Sequence, residues 1–117
     1  MAEAAEARAH VRHVRIAPRK VRIVVNLIRG KNLRDAEAIL RHTPKRASKV
    51  VAKLIHSAAA NAQNNHDLDP RDLYVAEIWV DGGPILKRIH PRSRGQAFPI
   101  MKRTSHISVV LRPRHQG

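Results

Sequence analysis

The sequence predicts an α+β fold in which three helices pack on a small three-stranded antiparallel sheet and a long β-hairpin protrudes. Three observations predict it. Three segments place their apolar residues at helical spacing, and three runs rich in β-formers, residues 8–16, 73–80 and 106–111, can supply the strands. The last two runs are separated from Asp81 to Ser105, whereas paired strands need a loop of only about two to five residues. At 117 residues the chain has the length of one domain, and with 43% hydrophobic but only 3% aromatic residues its core must be built from Val, Ile, Leu and Ala.

Residues 8–16 (RAHVRHVRI) mix β-branched and cationic residues, as an edge strand does when Arg12 and Arg15 keep it soluble. Pro18 opens a helix over roughly 18–29, with Val21, Val24, Val25 and Ile28 on one face, Arg19, Lys20, Arg22 and Arg29 on the other, and Gly30 as a left-handed stop. Asn32 is placed to cap a short second helix, with Asp35 completing a capping box and Ala36, Ile39 and Leu40 as its buried stripe. Thr43 and Pro44 then form an N-cap and first-turn pair for the longest periodic segment, in which Ala47, Val50, Val51, Leu54, Ile55, Ala58 and Ala62 pack while Lys45, Lys49 and Lys53 recur every four residues. NAQNNHDLDP ends that helix. LYVAEIWV (73–80) is a strand, and so is HISVVL (106–111), with Ile107, Val109 and Leu111 on one side.

Because a structureless loop of such length is improbable in a small domain, the two halves of the 82–103 stretch are expected to pair with each other. The tip then falls near Arg92, Ser93, Arg94 and Gly95. With about ten residues in each leg, the arm would reach about 30 Å. This divides the chain into a body (8–81 and 104–112), an arm (82–103) and flexible ends (1–7 and 113–117).

Charge points to the partner. Twenty-three Lys and Arg against nine Asp and Glu give +14, and the cations come in acid-free blocks: nine over residues 8–34, five over 41–53 and eight over 82–117. A polyanion is the natural counter-charge. Between residues 54 and 81 the balance reverses, with Asp67, Asp69, Asp72, Glu77 and Asp81 against Arg71, which implies a face turned away from that polyanion. Several separate cationic surfaces suit a folded RNA better than a straight DNA duplex, for which one concentrated recognition element is expected. The body candidates are Arg12, Arg15, Arg19, Lys20, Arg22 and Lys31, then Lys45, Arg46, Lys49 and Lys53 on the long helix. The arm adds Lys87, Arg88, Arg92, Arg94, Lys102 and Arg103. Arg forks bridge phosphate oxygens bidentately, so RNA can order such a ribbon.

Other classes fit poorly. A membrane-surface protein would want a basic helix with bulky apolar residues, whereas these helices bury Val and Ala. No apolar run approaches about 18 residues, and MAEAAEARAH resembles neither a secretory signal nor a mitochondrial presequence, so a cytoplasmic protein is expected. Without cysteine there is no disulfide or thiolate site. The eight histidines show no metal-ligand spacing, and His10 and His13 would face opposite sides of a strand. There is no glycine-rich phosphate loop or nucleophile motif, so neither a cofactor nor catalysis is expected. The competing non-enzymatic role is a free-standing nucleoid or RNA-chaperone protein using the same charge without a unique site.

Lys87, then Arg92, Ser93, Gly95 and Gln96, followed after nine residues by His106, Ile107, Val109 and Leu111, form a motif. With PRKVRIVVNLIRG, SAAANAQNN and VDGGPILKRIHPRSRG, it makes the chain resemble, from about residue 8 to 112, the universal large-subunit ribosomal protein family numbered twenty-two, in its bacterial-type form. The resemblance implies a body on the subunit exterior near the tunnel exit, contacts with several domains of 23S-type rRNA, and a role early in subunit assembly. It implies a hairpin that lines the polypeptide exit tunnel through Leu86, Lys87, Arg88, Ile89, His90, Pro91, Arg92, Ser93, Arg94 and Gly95. Leu86 to Arg88 are where it would place an effect on macrolide response. The implied partners are large-subunit rRNA, neighbouring large-subunit proteins and the nascent polypeptide, with no membrane and no homo-oligomer. Two departures from the family pattern stand out: Gly83 doubles the glycine at the arm's base, and Phe98 with Pro99 is expected to interrupt the returning leg.

Overall fold

The computed structural model describes residues 6–83, 86–91 and 97–114. Strand β1 (Ala7–Val14) is followed by helices α1 (Pro18–Ile28), α2 (Leu33–Arg41) and α3 (Arg46–His66), a short 3-10 turn (Pro70–Asp72) and strand β2 (Leu73–Gly82). Strands β3 (Leu86–Pro91), β4 (Ala97–Lys102) and β5 (Ser105–Pro113) complete the order. The α+β fold is as the sequence predicts: a three-stranded antiparallel sheet in the order β1-β5-β2, three helices packed on it, and β3-β4 as a separate two-stranded ribbon.

Strand β5 lies at the centre of the sheet, so its apolar content is the densest. Ile107, Val109 and Leu111 are fully buried in the core with Val21, Val25 and Ile28 of α1 and Val51, Ile55 and Ala58 of α3. Beside them on β1, Ala9 pairs with Val109 and Ala7 with Leu111. These small residues, with Ala59 and Ala62 on α3, let helix and strand approach closely in a core that, among the described residues, has no large aromatics to fill space. Edge strand β1 spans 7–14 rather than 8–16, so Ala7 belongs to the sheet. A register break between Val11 and Val14, with His13 at φ 59, ends regular pairing before Arg15.

Helix ends follow the sequence except in two places. Gly30 takes the left-handed conformation expected of a stop, at φ 79. Asp67 does the same for α3, at φ 52, and Leu68 N–H reaches back to Ala62 O at 2.9 Å. Asn32, however, makes no side-chain cap. Its backbone is used in a bridge to Tyr74, and only its carbonyl joins the helix, accepting from Ala36 N–H at 2.8 Å. Nor do Thr43 and Pro44 open α3. The Thr43 hydroxyl donates to Ile39 O at 2.6 Å and so closes the end of α2, and the helix begins two residues later with Lys45 at its N-cap.

The outer edge of β2 is sealed by cations and loop backbone rather than by another strand. Arg29 donates to Ile78 O at 2.9 Å and Arg22 to Val80 O at 3.2 Å, while Val75 exchanges hydrogen bonds with Gly30 and Lys31.

At the root of the ribbon, Gly83 N–H donates to Thr104 O at 2.9 Å. A Cβ at Gly83 would collide with Thr104 Oγ1 and lie 3.1 Å from His106 Cε1, which explains the second glycine of the pair. On the ribbon itself Leu86 lies opposite Lys102. From there pairing is regular to Pro91 opposite Ala97. The expected interruption at Phe98 and Pro99 does not occur: Phe98 pairs with His90 and Pro99 with Ile89. A two-stranded ribbon has two free edges, so a proline nitrogen can face outward without removing a ladder bond. The molecule measures 69 × 31 × 19 Å, and its radius of gyration of 17.7 Å exceeds the value of about 13 Å expected for a compact chain of this length.

Candidate nucleic-acid interface

All body cations singled out in the sequence are exposed: Arg12, Arg15, Arg19, Lys20, Arg22, Lys31, Lys45, Arg46, Lys49 and Lys53, together with Arg103 at the arm's root. Among the described residues none of them forms an ion pair. The pairs that exist neutralise other cations. Glu6 binds Arg8 at 2.7 Å and Arg112 at 3.1 Å, Arg112 also binds Glu77 at 3.0 Å, and Asp69 binds Arg71 at 2.8 Å. Hydrogen bonds from Arg8 and then Arg112 hold the Glu6 carboxyl below its usual range, and Arg71 does the same to Asp69. Such exposed pairs add little stability, but they divide the surface. The Glu6, Arg8, Glu77 and Arg112 network sits on and beside the sheet, where Arg8 and Glu77 both lie opposite Val110, whereas the helices and the 12–20 segment keep free positive charge.

The structure gathers much of that charge around the start of α3. No side chain caps this helix and no acid lies in its first turn, so the positive end of its dipole is uncompensated. On one side a cleft of about 910 Å³ is lined by Arg15, Lys20, Lys45, Arg46 and Arg103, with Ile23 among its apolar residues. On the other, a cleft of about 870 Å³ between α2 and α3 contains Arg41, Lys45, Arg46, Lys49 and His56, with Glu37 as its acid. Ser48 lines this second cleft, buried at 2% exposure, and its hydroxyl has no hydrogen-bond partner.

Other candidates are not brought into either cleft. Arg22 spends one donor on the β2 edge, and Arg12, Arg19, Lys31 and Lys53 lie elsewhere on the surface. On the arm, Lys87 and Arg88 fall on β3 and Lys102 on β4, as do the tunnel candidates Leu86, Ile89, His90 and Pro91 on β3. The tip candidates Arg92, Ser93, Arg94 and Gly95 lie outside the described residues. Sequence reasoning missed Ile23, Arg41 and Ser48. Ile23 was detectable, because it departs from the 21, 24, 25, 28 spacing of the buried face and stands on the cationic one.

No group of three or more His, Asp or Glu side chains that could hold a metal occurs among the described residues. His10 Nδ1 lies 2.8 Å from Ser108 Oγ, and His13 meets His106 edge to face at 4.9 Å while donating its backbone N–H to His106 Nδ1. No helix among the described residues is long and apolar enough to cross a membrane.

Fold and surface thus define a class: a small α+β body with free cations on several elements and a two-stranded ribbon rooted in its central strand. A profile of the ribosomal protein L22p/L17e family matches residues 9–112. The chain is 59% identical over 110 residues to "Large ribosomal subunit protein uL22" of Thermus thermophilus, covering 94% of this chain and 97% of that protein. It is 54% identical over 109 residues to the protein of that name from Clostridium novyi (strain NT), covering 93% and 98%. A third, from Lactobacillus delbrueckii subsp. bulgaricus, is 58% identical over 105 residues, 90% of each chain. The chain belongs to the ribosomal protein L22p/L17e family.

Proposed function

We propose that this protein binds 23S-type rRNA through the cations of its body, and that the β3-β4 ribbon reaches through that RNA to line the polypeptide exit tunnel. Family membership makes it a structural, non-enzymatic constituent of the large ribosomal subunit, and hence cytoplasmic in a bacterium. The observation that carries the finer reading is the ribbon: its legs pair with each other, form no sheet with the body, and extend from the strands β2 and β5 that anchor them. An isolated two-stranded ribbon is marginal in water and needs an external scaffold. Its sequence from 82 to 103 carries six cations and no acid, so the scaffold is a polyanion.

Body (8–81 and 104–112) and arm (82–103) accordingly have separate tasks. The body anchors the chain on several rRNA segments, which suits a component that joins early in assembly and abuts neighbouring large-subunit proteins. The arm supplies reach to the nascent polypeptide. Residues 86–95 form the tunnel wall, and Leu86 to Arg88 are the positions from which it would alter macrolide response. The protein acts as a single copy in this assembly.

Sedimentation after a high-salt wash tests this. The protein should remain with the large subunit, because enclosure in folded rRNA survives the screening that strips a purely electrostatic binder. Recovery only in the salt-stripped fraction would favour a free-standing RNA chaperone instead.

A further inference from the structure

The two clefts beside the start of α3 differ in charge: Glu37 lines one, and no carboxylate lines the other. The one formed by the 15–17 turn, α1, the start of α3 and Arg103 has an apolar wall. Ile23 stands on it at 49% exposure, and Leu27, one turn along α1, continues the apolar strip at 43%. The same cleft is lined by Arg15, Lys20, Lys45, Arg46 and Arg103, with no carboxylate among the lining residues. One exposed isoleucine would be ordinary, but Ile23 and Leu27 together make an apolar strip directly beside the cations, which contact with phosphate alone does not use. The half-open cleft has a volume of about 910 Å³, room for a small organic group such as a base or ribose.

We propose that this cleft seats one unpaired nucleotide of the bound RNA, its phosphates held by the five cations and its base or ribose laid against Ile23. The inference rests on the rRNA-binding reading and sharpens it by naming the form of RNA recognised. A continuous A-form duplex offers phosphates and sugars but keeps its base faces stacked inside. Bulges and loops can splay a base outward against a protein surface. The uncapped start of α3 adds its dipole to the charge at the phosphate end. Arg103 lies between β4 and β5, so a nucleotide in this cleft touches the body and the root of the arm together and fixes one against the other.

The test uses the full chain and a transcript of large-subunit rRNA. Ile23→Ala removes apolar area from an exposed side chain and leaves the core intact, so it should weaken binding about fivefold with no change in the salt dependence. Arg46→Gln should lower the slope of log affinity against log salt by roughly one. A photoreactive side chain placed at position 23 should crosslink to a nucleotide whose 2′-hydroxyl is reactive in free RNA, the mark of an unpaired base, and is protected in the complex. Wild-type affinity in Ile23→Ala, or crosslinks confined to paired nucleotides or to another protein in the assembled subunit, would overturn the nucleotide seat while leaving rRNA binding intact. Failure of the wild-type chain to bind the transcript would overturn the rRNA reading and this one together.

Discussion

Arg29, the C-cap of α1, donates to the carbonyl of Ile78 on β2 at 2.9 Å, and two turns earlier on the same face Arg22 reaches Val80 O at 3.2 Å. Arg22, which the sequence assigns to RNA, and Arg29 on the same cationic face therefore close the edge of a sheet. Hydrogen bonds from a charged donor contribute about 1.5–3 kcal/mol. Arg29→Ala should lower urea-unfolding stability by about 1–2 kcal/mol and leave the salt dependence of rRNA binding unchanged. Arg29 also donates to Asn26 Oδ1, whereas Arg22 spends one donor on Val80 O and retains others for RNA, so Arg22→Ala should affect both quantities.

Gly83 and Gly30 should respond differently to alanine. At Gly83 the added methyl meets Thr104 Oγ1 and the His106 ring, so the root of the arm must open, at a cost of about 1–3 kcal/mol. At Gly30 nothing lies within 4 Å, and only the backbone conformation at φ 79 resists, costing about 1 kcal/mol. Denaturant melts of the two variants measure both. Equal losses would remove the steric argument for Gly83.

The lysine stripe offers a reading in charge. Lys45, Lys49 and Lys53 are exposed and form no ion pair among the described residues. Replacing all three with Gln should reduce the salt slope of rRNA affinity by up to about three if each meets a phosphate. Lys45 and Lys49 line clefts at the start of α3 and Lys53 does not, so the Lys45 and Lys49 substitutions should account for most of the change. An unchanged slope would assign the stripe to solvent.

Acid should loosen the join between β1 and β5. Glu6 has its folded pKa depressed by Arg8 and Arg112, so its contribution is present above the unfolded carboxylate value and is lost as pH falls through the folded one. Glu6→Gln should therefore be less stable than the wild type at neutral pH, and the two should converge once pH falls below the carboxylate range. Comparison of their melting temperatures across that range provides the measurement.

Much of this was legible in the sequence because it depends on local rules. The spacing of Val21, Val24, Val25 and Ile28 specifies a buried helix face, Gly30 a left-handed stop, and the long acid-free interval between two strands a ribbon. What escaped depends on partners distant in the chain. Thr43 reads as an N-cap until Ile39 O is seen to accept its hydroxyl, and Asn32 reads as a cap until Tyr74 engages its backbone. Pro99 reads as a breaker unless its strand is known to have a free edge. For the interface, the cations themselves were legible, but their gathering from four segments around Ile23 required the fold.

The central claim is that the ribbon lies inside rRNA and lines the tunnel while the body anchors the chain outside. The most direct measurement is a density map of the assembled large subunit containing this chain. It should place β3 and β4 between rRNA segments, with residues 86–95 at the tunnel wall and the start of α3 against RNA. A ribbon lying on the subunit surface, away from the tunnel and from rRNA, would contradict it.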